Sequence, residues 1–505
     1  MSNSYIKIPL SISYKDITRG HLSFSASQYR KLELPNRNFR LVKDFLSRPL
    51  RRSDLGIEVG SLNYIGQSTH YFLRTKALQE HSFLPDITEE TAPPIMPHSF
   101  VQMNLKKGDL IISKDSNIGE IVILDKDYPN MMLSGALYKL PIKNEWKYYL
   151  LAFIKHPIFR EQLDFMVPKG ATIRHAKTMF LDCKIAIPNQ NTANVIRFVE
   201  FLTQAIINKE ILIKQKHEKI LQLIEKELLD NQHSSRFKFE LPKITEIEEI
   251  GRLDTGLYSE EYKKINFLIR NYLHGSLPIT KINSGEVAIT RGQNLQESNI
   301  GKSIYSDKPI KNFYRLCLSK NFNGDSTISR FSFIANPSRL KEIKKGEIVF
   351  SCRGDMGRSI IFCESIKHTI TNIDNVHIAF KGQELFKNIF ISQCLSFYRK
   401  NGYIAKIAIG GSGADSFTIY QFDLIDIPLF PINKQKEIAQ LYHNSKCNYQ
   451  PDTFILDSFL DKDDEFNKVA GIYELDKTSK MLKEILNNTI DNIVNDREVE
   501  IKFSI

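Results

Sequence analysis

Much that would name an activity is missing from this chain. Its six cysteines, at 183, 317, 352, 363, 394 and 447, are widely spaced and include no C-x-x-C pair. That spacing excludes a disulfide framework and a zinc site built on paired thiolates, and leaves buried free thiols as the expectation. No run approaches the roughly 18 apolar residues of a membrane span, and the first ten residues lack the charged, apolar and cleavable pattern of a secretory signal. A cytoplasmic protein without membrane partners is expected. Catalytic motifs are missing too. An amino methyltransferase needs a Gly-rich loop for its methyl donor and an Asn/Asp-Pro-Pro-aromatic motif at the target amine, whereas here Pro93-Pro94 follows Ala92 and Asn336-Pro337 runs into Ser338. The nearest approach to a nuclease metal site, residues 461–465, reads as a solvated loop. Gly410-Gly411-Ser412-Gly413 lacks the Lys-Ser/Thr ending of a P-loop and reads as a flexible turn. His175 and His217 have no partner at ligand spacing, so no catalytic residue and no metal site are expected.

What is present is bulk, charge and repetition. The 505 residues, 42% hydrophobic, allow about three domains with sizeable cores. The net charge of +11 fits a polyanionic partner. It is uneven: residues 1–60 hold eleven Lys/Arg against five Asp/Glu, with Arg48, Arg51 and Arg52 close together, whereas residues 451–470 hold six acidic residues against two Lys.

The chain is organised around residues 193–230, which contain neither Pro nor Gly. Val199, Leu202, Ile206, Ile213, Ile220 and Leu223 form one heptad-like stripe, interrupted by Lys209 and Lys216. The pattern exceeds the usual length of a globular-domain helix, so it predicts a strut packed along another long helix. From 209 to 230 five Lys balance five acidic residues, which suits a spacer better than a phosphate-binding helix.

Similar segments lie on either side. Lys106-Lys107-Gly108-Asp109-Leu110-Ile111-Ile112-Ser113 is followed, six residues after the Ser, by Gly119 and then Ile121-Val122-Ile123. Lys344-Lys345-Gly346-Glu347-Ile348-Val349-Phe350-Ser351 is followed at the same spacing by Gly357 and Ile360-Ile361-Phe362. Arg19 with Tyr29 and Gly66-Gln67 are matched to Arg252 with Tyr262 and Gly292-Gln293. Each copy closes on a strand ending in Pro, at Pro188 and Pro428, before a helical segment. This is a duplicated domain, since solenoid repeats are about 20 to 50 residues long.

In chain order the first copy reads as a helix within 27–45, a strand over 57–65 running into the Gly66 loop, a breaker-rich loop over 85–97, a hairpin of 110–113 with 120–124, and a helix over 146–165 broken at Pro157. The second reads as a helix over 260–273, a strand over 285–290, a hairpin of 348–351 with 359–362, and a helix over 385–398. A helical segment starts at 433. Residues 446–474 are polar and non-periodic, and a helix resumes over 475–494. Polar tips fall at strand ends. Gln67, Ser68, Thr69, Lys114, Asn117, Arg174, Arg291, Gln293, Asn294, Arg353, Arg358 and Ser412 are candidates to read base edges, and Arg48, Arg51, Arg52, Lys169 and Lys177 to hold phosphates.

The chain resembles the specificity subunits of type I restriction-modification systems. The carriers are Arg252-Leu253-Asp254 with Tyr258 and Tyr262, Arg291-Gly292-Gln293-Asn294-Leu295, the Gly346-Glu347-Ile348 to Gly357 hairpin with its first copy, the small-residue loop before a Pro-ended strand, and a long helix after each copy. The resemblance implies an α/β (α+β) protein with two similar target-recognition domains, 1–190 and 237–430, separated by coiled-coil-like helices: a central spacer and linker, 191–236, and a distal helical region, 431–505, with the polar insertion 446–474. It further implies a non-catalytic subunit in which each domain reads one half of a bipartite site in double-stranded DNA. The helices act as a ruler and dock two modification subunits, which use S-adenosylmethionine, and a motor-nuclease restriction subunit completes the complex. No cofactor is expected on this chain itself. Two other classes fit the residues: an interaction scaffold, such as an assembly or inhibitory protein, with solvated basic loops, and a stand-alone enzyme.

Overall fold

The computed structural model describes residues 5–19, 29–167, 176–233, 236–409 and 416–504. The chain divides into two compact units, one of Met1–Ile211, Tyr449–Asn467 and Lys477–Ile505, the other of Leu212–Asn448 and Lys468–Asp476.

The first unit runs β1 (Ile6–Lys7), α1 (Tyr14–Arg19), β2 (Lys31–Leu32), β3 (Phe39–Leu41), β4 (Tyr71–Leu73), β5 (Leu110–Ser113), β6 (Ile121–Ile123), β7 (Met131–Leu133), β8 (Leu137–Leu140), α2 (Lys147–Lys155), α3 (Pro157–Met166), β9 (Lys184–Ala186) and the start of α4 (Thr192–Asp230). The second runs α5 (Ile244–Ile250), α6 (Glu260–Arg270), β10 (Ser276–Pro278), β11 (Val287–Arg291), α7 (Glu297–Ile300), β12 (Ile304–Ser306), β13 (Tyr314–Cys317), β14 (Ser332–Ala335), β15 (Ile348–Ser351), β16 (Ser359–Ile361), β17 (Thr369–Thr371), β18 (Asn375–Phe380), α8 (Leu385–Lys400), α9 (Tyr403–Ile407), β19 (Asp426–Pro428) and α10 (Ile432–Tyr442). Two further helices follow, α11 (Phe459–Val469) and α12 (Ile472–Val494).

The duplication holds at the level of strand pairing. β3 pairs antiparallel with β9 as β10 does with β19, β4 lies parallel to β7 as β13 does to β17, and β5 sits between β6 and β8 as β15 sits between β16 and β18. The β5 and β15 side chains are all buried, as an apolar, β-branched run covered on both faces should be. Single bonds repeat as well. Gly108 N–H donates to Leu124 O and Gly346 N–H to Phe362 O, both at 2.8 Å, while Gly119 and Gly357 donate to Ser113 O and Ser351 O, both at 2.9 Å. Gly119 and Gly357 sit at φ +81° and +82°, and a Cβ there would come within 2.5 Å of Leu163 and 2.9 Å of Ile404. Only glycine fits this turn in either copy. In each copy a buried helix tyrosine donates 2.7 Å to the closing strand, Tyr149 to Ala186 O and Tyr398 to Asp426 O.

Four expectations are corrected. The stretch read as a helix within 27–45 forms, in its described part, β2, β3 and a 3₁₀ turn, Val42–Phe45. Pairing of Phe39–Leu41 with the closing strand outweighs local helix propensity. The strand expected over 57–65 is irregular, with a 3₁₀ turn at Ser61–Asn63. The partner of Arg291-Gly292-Gln293 in the first copy is Leu55-Gly56-Ile57 rather than Gly66-Gln67. Gly56 N–H donates to Leu137 O (2.9 Å) and Ile57 N–H to Leu133 O (3.0 Å), as Gly292 does to Asn375 O (3.0 Å) and Gln293 to Thr371 O (2.8 Å). Finally, residues 461–465 are not a solvated loop: they lie in α11, within the stretch read as non-periodic, and Asp463 is 1% exposed.

That last correction changes the helical part of the first unit. Val199, Leu202 and Ile206 of α4 are fully buried there, against Leu482, Ile485, Leu486 and Ile490 of α12 and Phe459 of α11 in one core. Burying each such side chain contributes roughly 1.5 to 3 kcal/mol. Glu210 pairs with Lys483 at 2.7 Å. Arg197 pairs with Asp457 (2.6 Å) just before α11, and Asn208 donates to Asp464 (2.9 Å) within it, so α11 climbs alongside α4 in the same direction. Among the described residues α11 thus joins α4 and α12, where one partner helix for α4 was expected.

Glu210 also fastens the β-rich body to the helices. Its carboxylate accepts from Phe83 N–H (2.9 Å) and the Ser82 hydroxyl (3.1 Å), and Lys483 donates to His81 O (2.8 Å). Burial works to raise the Glu210 carboxyl, but Lys483 and these donors outweigh it and hold it below its ordinary value.

Candidate nucleic-acid interface

In the second unit several loops converge on the turn 372–374 between β17 and β18. Gly292 lies so close that a Cβ would stand 2.2 Å from Asn372 O, which excludes any side chain there. Cys352, at the end of β15, donates its N–H to Asp374 O, and Phe417 N–H donates to Cys352 O, both at 2.9 Å. The hairpin tip, the Arg291 loop and the start of the closing segment are therefore fixed to one another by backbone bonds.

The candidate side chains on this frame differ in what they can reach. Arg291 is drawn inward, its guanidinium donating to Phe417 O (3.1 Å) and Ile373 O (3.4 Å). Arg358 is likewise committed: it donates to Phe322 O and pairs with Asp355 at 3.5 Å. Gln293 accepts from Lys341 N–H (3.1 Å) through its amide oxygen, and Asn294 accepts from Gln296 N–H (3.1 Å) in a local turn. Arg353 is the exposed cation of the tip, 62% exposed and 3.5 Å from Asp374, itself held by the Asn372 amide at 2.7 Å. Ser412 lies outside the described residues. On either side of the undescribed segment, Ile409 and Ser416 exchange two backbone bonds of 3.0 Å.

The first unit repeats the frame. A Cβ on Gly56 would lie 2.0 Å from Ser134 O. Lys114 N–H donates to Ala136 O (2.9 Å), and Ala176 N–H to Lys114 O (2.8 Å), the counterparts of the Cys352 bonds. Lys114 is neutralised by Asp115 beside it, and Asn117 faces the protein, donating to Leu78 O at 3.4 Å. Lys177, exposed and at φ +48°, follows Ala176 directly. Lys169 and Arg174 lie outside the described residues.

Of the N-terminal arginines, Arg48 makes a two-bond fork to the buried Asp54 (2.6 and 2.7 Å). That hydrogen-bonded pair holds the Asp54 carboxyl below its usual value. Arg52 donates to Gly56 O at 3.3 Å, so it belongs to the edge of the same frame, and Arg51 next to it is exposed. Gln67, Ser68 and Thr69 form a different loop, ahead of β4. Ser68 accepts from His70 N–H (3.0 Å), Thr69 bonds the His70 ring (3.2 Å), and Gln67 is exposed. The matching motif Arg252-Leu253-Asp254 acts inside the fold: Arg252 pairs with Asp254 and donates to Ile407 O (2.7 Å) and Ala408 O (3.1 Å), clamping the end of α9.

Sequence reading overlooked Asn372, Asp374 and Lys341. The Asn372-Ile373-Asp374-Asn375 run was its available signal, a turn-forming cluster between two apolar strands. Chemically the site offers guanidinium, ammonium and amide donors on rigid loops, groups that bond base edges and phosphates. Among the described residues no three His, Cys, Asp or Glu are grouped so as to hold a metal ion, and no helix is long and apolar enough to cross a membrane. The six cysteines form no disulfide, and five of them are buried.

No protein-family model matches the chain, and no curated protein matches it either. Among solved structures it is similar, at 11% identity in each case, to three chains. One comes from a study of complex assembly and conformational transition of the type I R-M system (92% of this chain, 99% of that one, TM-score 0.27). Another is the type I restriction-modification S subunit from M. genitalium (91% and 97%, TM-score 0.35). The third is the HsdS subunit from Thermoanaerobacter tengcongensis (91% and 97%, TM-score 0.26).

Proposed function

We propose that this chain is the DNA-reading specificity subunit of a type I restriction-modification assembly. The observation that carries the reading is the duplicated frame: each copy fixes a hairpin tip, a glycine-bearing loop and the start of a closing segment by the same backbone bonds, and differs in the side chains it presents. Two copies of one reading head with different side chains suit a bipartite site whose halves differ in sequence. The basic balance of the chain supports salt-dependent affinity for duplex DNA. The helical segments set the spacing between half-sites and dock two modification subunits, which use S-adenosylmethionine, together with a motor-nuclease subunit. This chain catalyses nothing itself and works in the cytoplasm.

The test is co-expression with the modification-subunit homologue of the same genome, followed by long-read mapping of methylated adenines. A bipartite motif that changes in one half alone on Arg353→Ala supports the reading and assigns that half to the second unit. A complex that forms but methylates no defined motif sinks it.

A further inference from the structure

The second unit carries a basic edge strand where the matching segment of the first holds no cation. β12 is the outer strand of the order β12-β14-β13-β17; its place in the first unit is taken by a short segment that joins β4 through the antiparallel bridges Tyr64–Ile95 and Tyr71–Pro94, and residues 57–70 there hold no Lys or Arg. Residues 301–315 around it form an arm with Lys302, Lys308, Lys311 and Arg315 against Asp307 alone. Ile304, Tyr305 and Ile310 on it are 67%, 57% and 48% exposed.

The arm is built rather than loose. Asn336 anchors its base, donating to Ile300 O (3.0 Å) and to the Ser303 hydroxyl (2.8 Å). Ser306 closes its turn, accepting from Lys308 N–H (3.0 Å) and donating to Lys308 O (2.8 Å). The register places Ser306 opposite Phe333 and Phe333 opposite Arg315, with Ile304 opposite Ala335. Ile304, Phe333 and Arg315 thus share the face turned away from the buried Ile334. The arm leaves the Arg291–Asn294 loop through α7, a helix of four residues spanning about 6 Å. An exposed strand edge bearing large apolar groups is usually covered. Four cations against one acid select a polyanion, and exposed Tyr305 can add a hydrogen bond to it.

We infer that residues 301–315 form an accessory clamp on the phosphate backbone of duplex DNA, supplied by the second unit alone, which adds affinity without reading sequence. The inference rests on the proposed DNA-reading function. Its test uses the full chain co-purified with its modification partner, titrated against a pool of random-sequence duplexes over a range of salt. The variant K302Q/K308Q/K311Q/R315Q should lower the slope of log K against log salt by about 3.6, at about 0.9 for each phosphate no longer neutralised. The methylated motif of the complex should be unchanged. Lys308→Glu alone, at an exposed turn, should lower the slope by at least about 0.9 and guards against misfolding of the fourfold variant. If the wild type binds duplex and neither variant alters the slope, the clamp is refuted while the reading stands. If the variants lose the modification partner but keep the slope, the arm faces protein and the clamp is again refuted. If the wild-type complex binds no duplex at all, the proposed function falls and the clamp with it.

Discussion

Lys209 and Asp463 form an ion pair of 2.7 Å with side chains 0% and 1% exposed. Lys209 interrupts the apolar stripe of α4, and the interruption is filled by α11. Asn467 accepts from its ammonium at 2.6 Å, and the rings of Tyr449 and Phe466 lie 5.2 and 5.1 Å away. Burial pulls the ammonium below its ordinary pKa, and Asp463 opposes that pull. Asp463 is itself satisfied by Tyr449 (2.8 Å) and Asn467 (2.9 Å). A buried charge cluster of this kind selects one register for α11 on α4 more than it adds stability.

Lys209→Ala, which strands a buried carboxylate, is therefore expected to destabilise the first unit by about 3 to 5 kcal/mol, and the pair Lys209→Met with Asp463→Leu to recover much of that loss. Urea denaturation of the two variants checks this. A loss under about 0.5 kcal/mol for the alanine variant would mean that the pair is solvated.

Arg291 and Arg353 should behave differently despite their shared position beside one turn. Arg291→Ala removes two bonds to backbone carbonyls and should cost the second unit about 1 to 3 kcal/mol of stability. Arg353→Ala should leave the melting temperature nearly unchanged and weaken the preferred site by about 1 to 3 kcal/mol at one base pair. Calorimetry beside binding to single-base variants of the mapped site separates them, and equal melting losses would refute the distinction.

Gly119→Ala and Gly357→Ala test the duplicated turn. Each adds a Cβ at positive φ against a packed side chain, so each should cost at least about 1 to 2 kcal/mol. Comparable thermal shifts are expected from both, and a neutral result at either position would show that the turn can relax.

His156 gives the first unit an acid-sensitive point. Burial pushes its imidazole down to about 4, and its Nδ1 caps α3 by accepting from Ile158 N–H at 3.3 Å. The unfolded chain takes up the proton near 6.5 and the folded one only near 4, so this group adds stability that is full above about 6.5 and lost as the pH falls to about 4, up to ~3 kcal/mol in all. His156→Asn keeps a cap and removes the titration. Denaturation followed between those pH values should be flatter in the variant, and an unchanged pH slope would assign the sensitivity elsewhere.

Two features of this protein were legible in its residues alone. The paired Lys-Lys-Gly motifs, each with a second glycine six residues beyond the Ser, determine the hairpins in both copies, because the positive φ of Gly119 and Gly357 is a local demand that only glycine meets. The long helical period, free of Pro and Gly, likewise determines α4. Tertiary structure decided what needs partners distant in sequence. Gly56, not Gly66, proved the counterpart of Gly292, because equivalence depends on which carbonyls its backbone approaches. Arg291 turned inward while Arg353 stayed outside, although both are arginines in polar loops. Most of all, the acidic run at 461–465 reads as solvent-facing by composition, yet Asp463 is buried because a lysine on α4 waits for it. Local propensity acts over one turn of chain, whereas the burial of a charge is settled by whatever lies across the core.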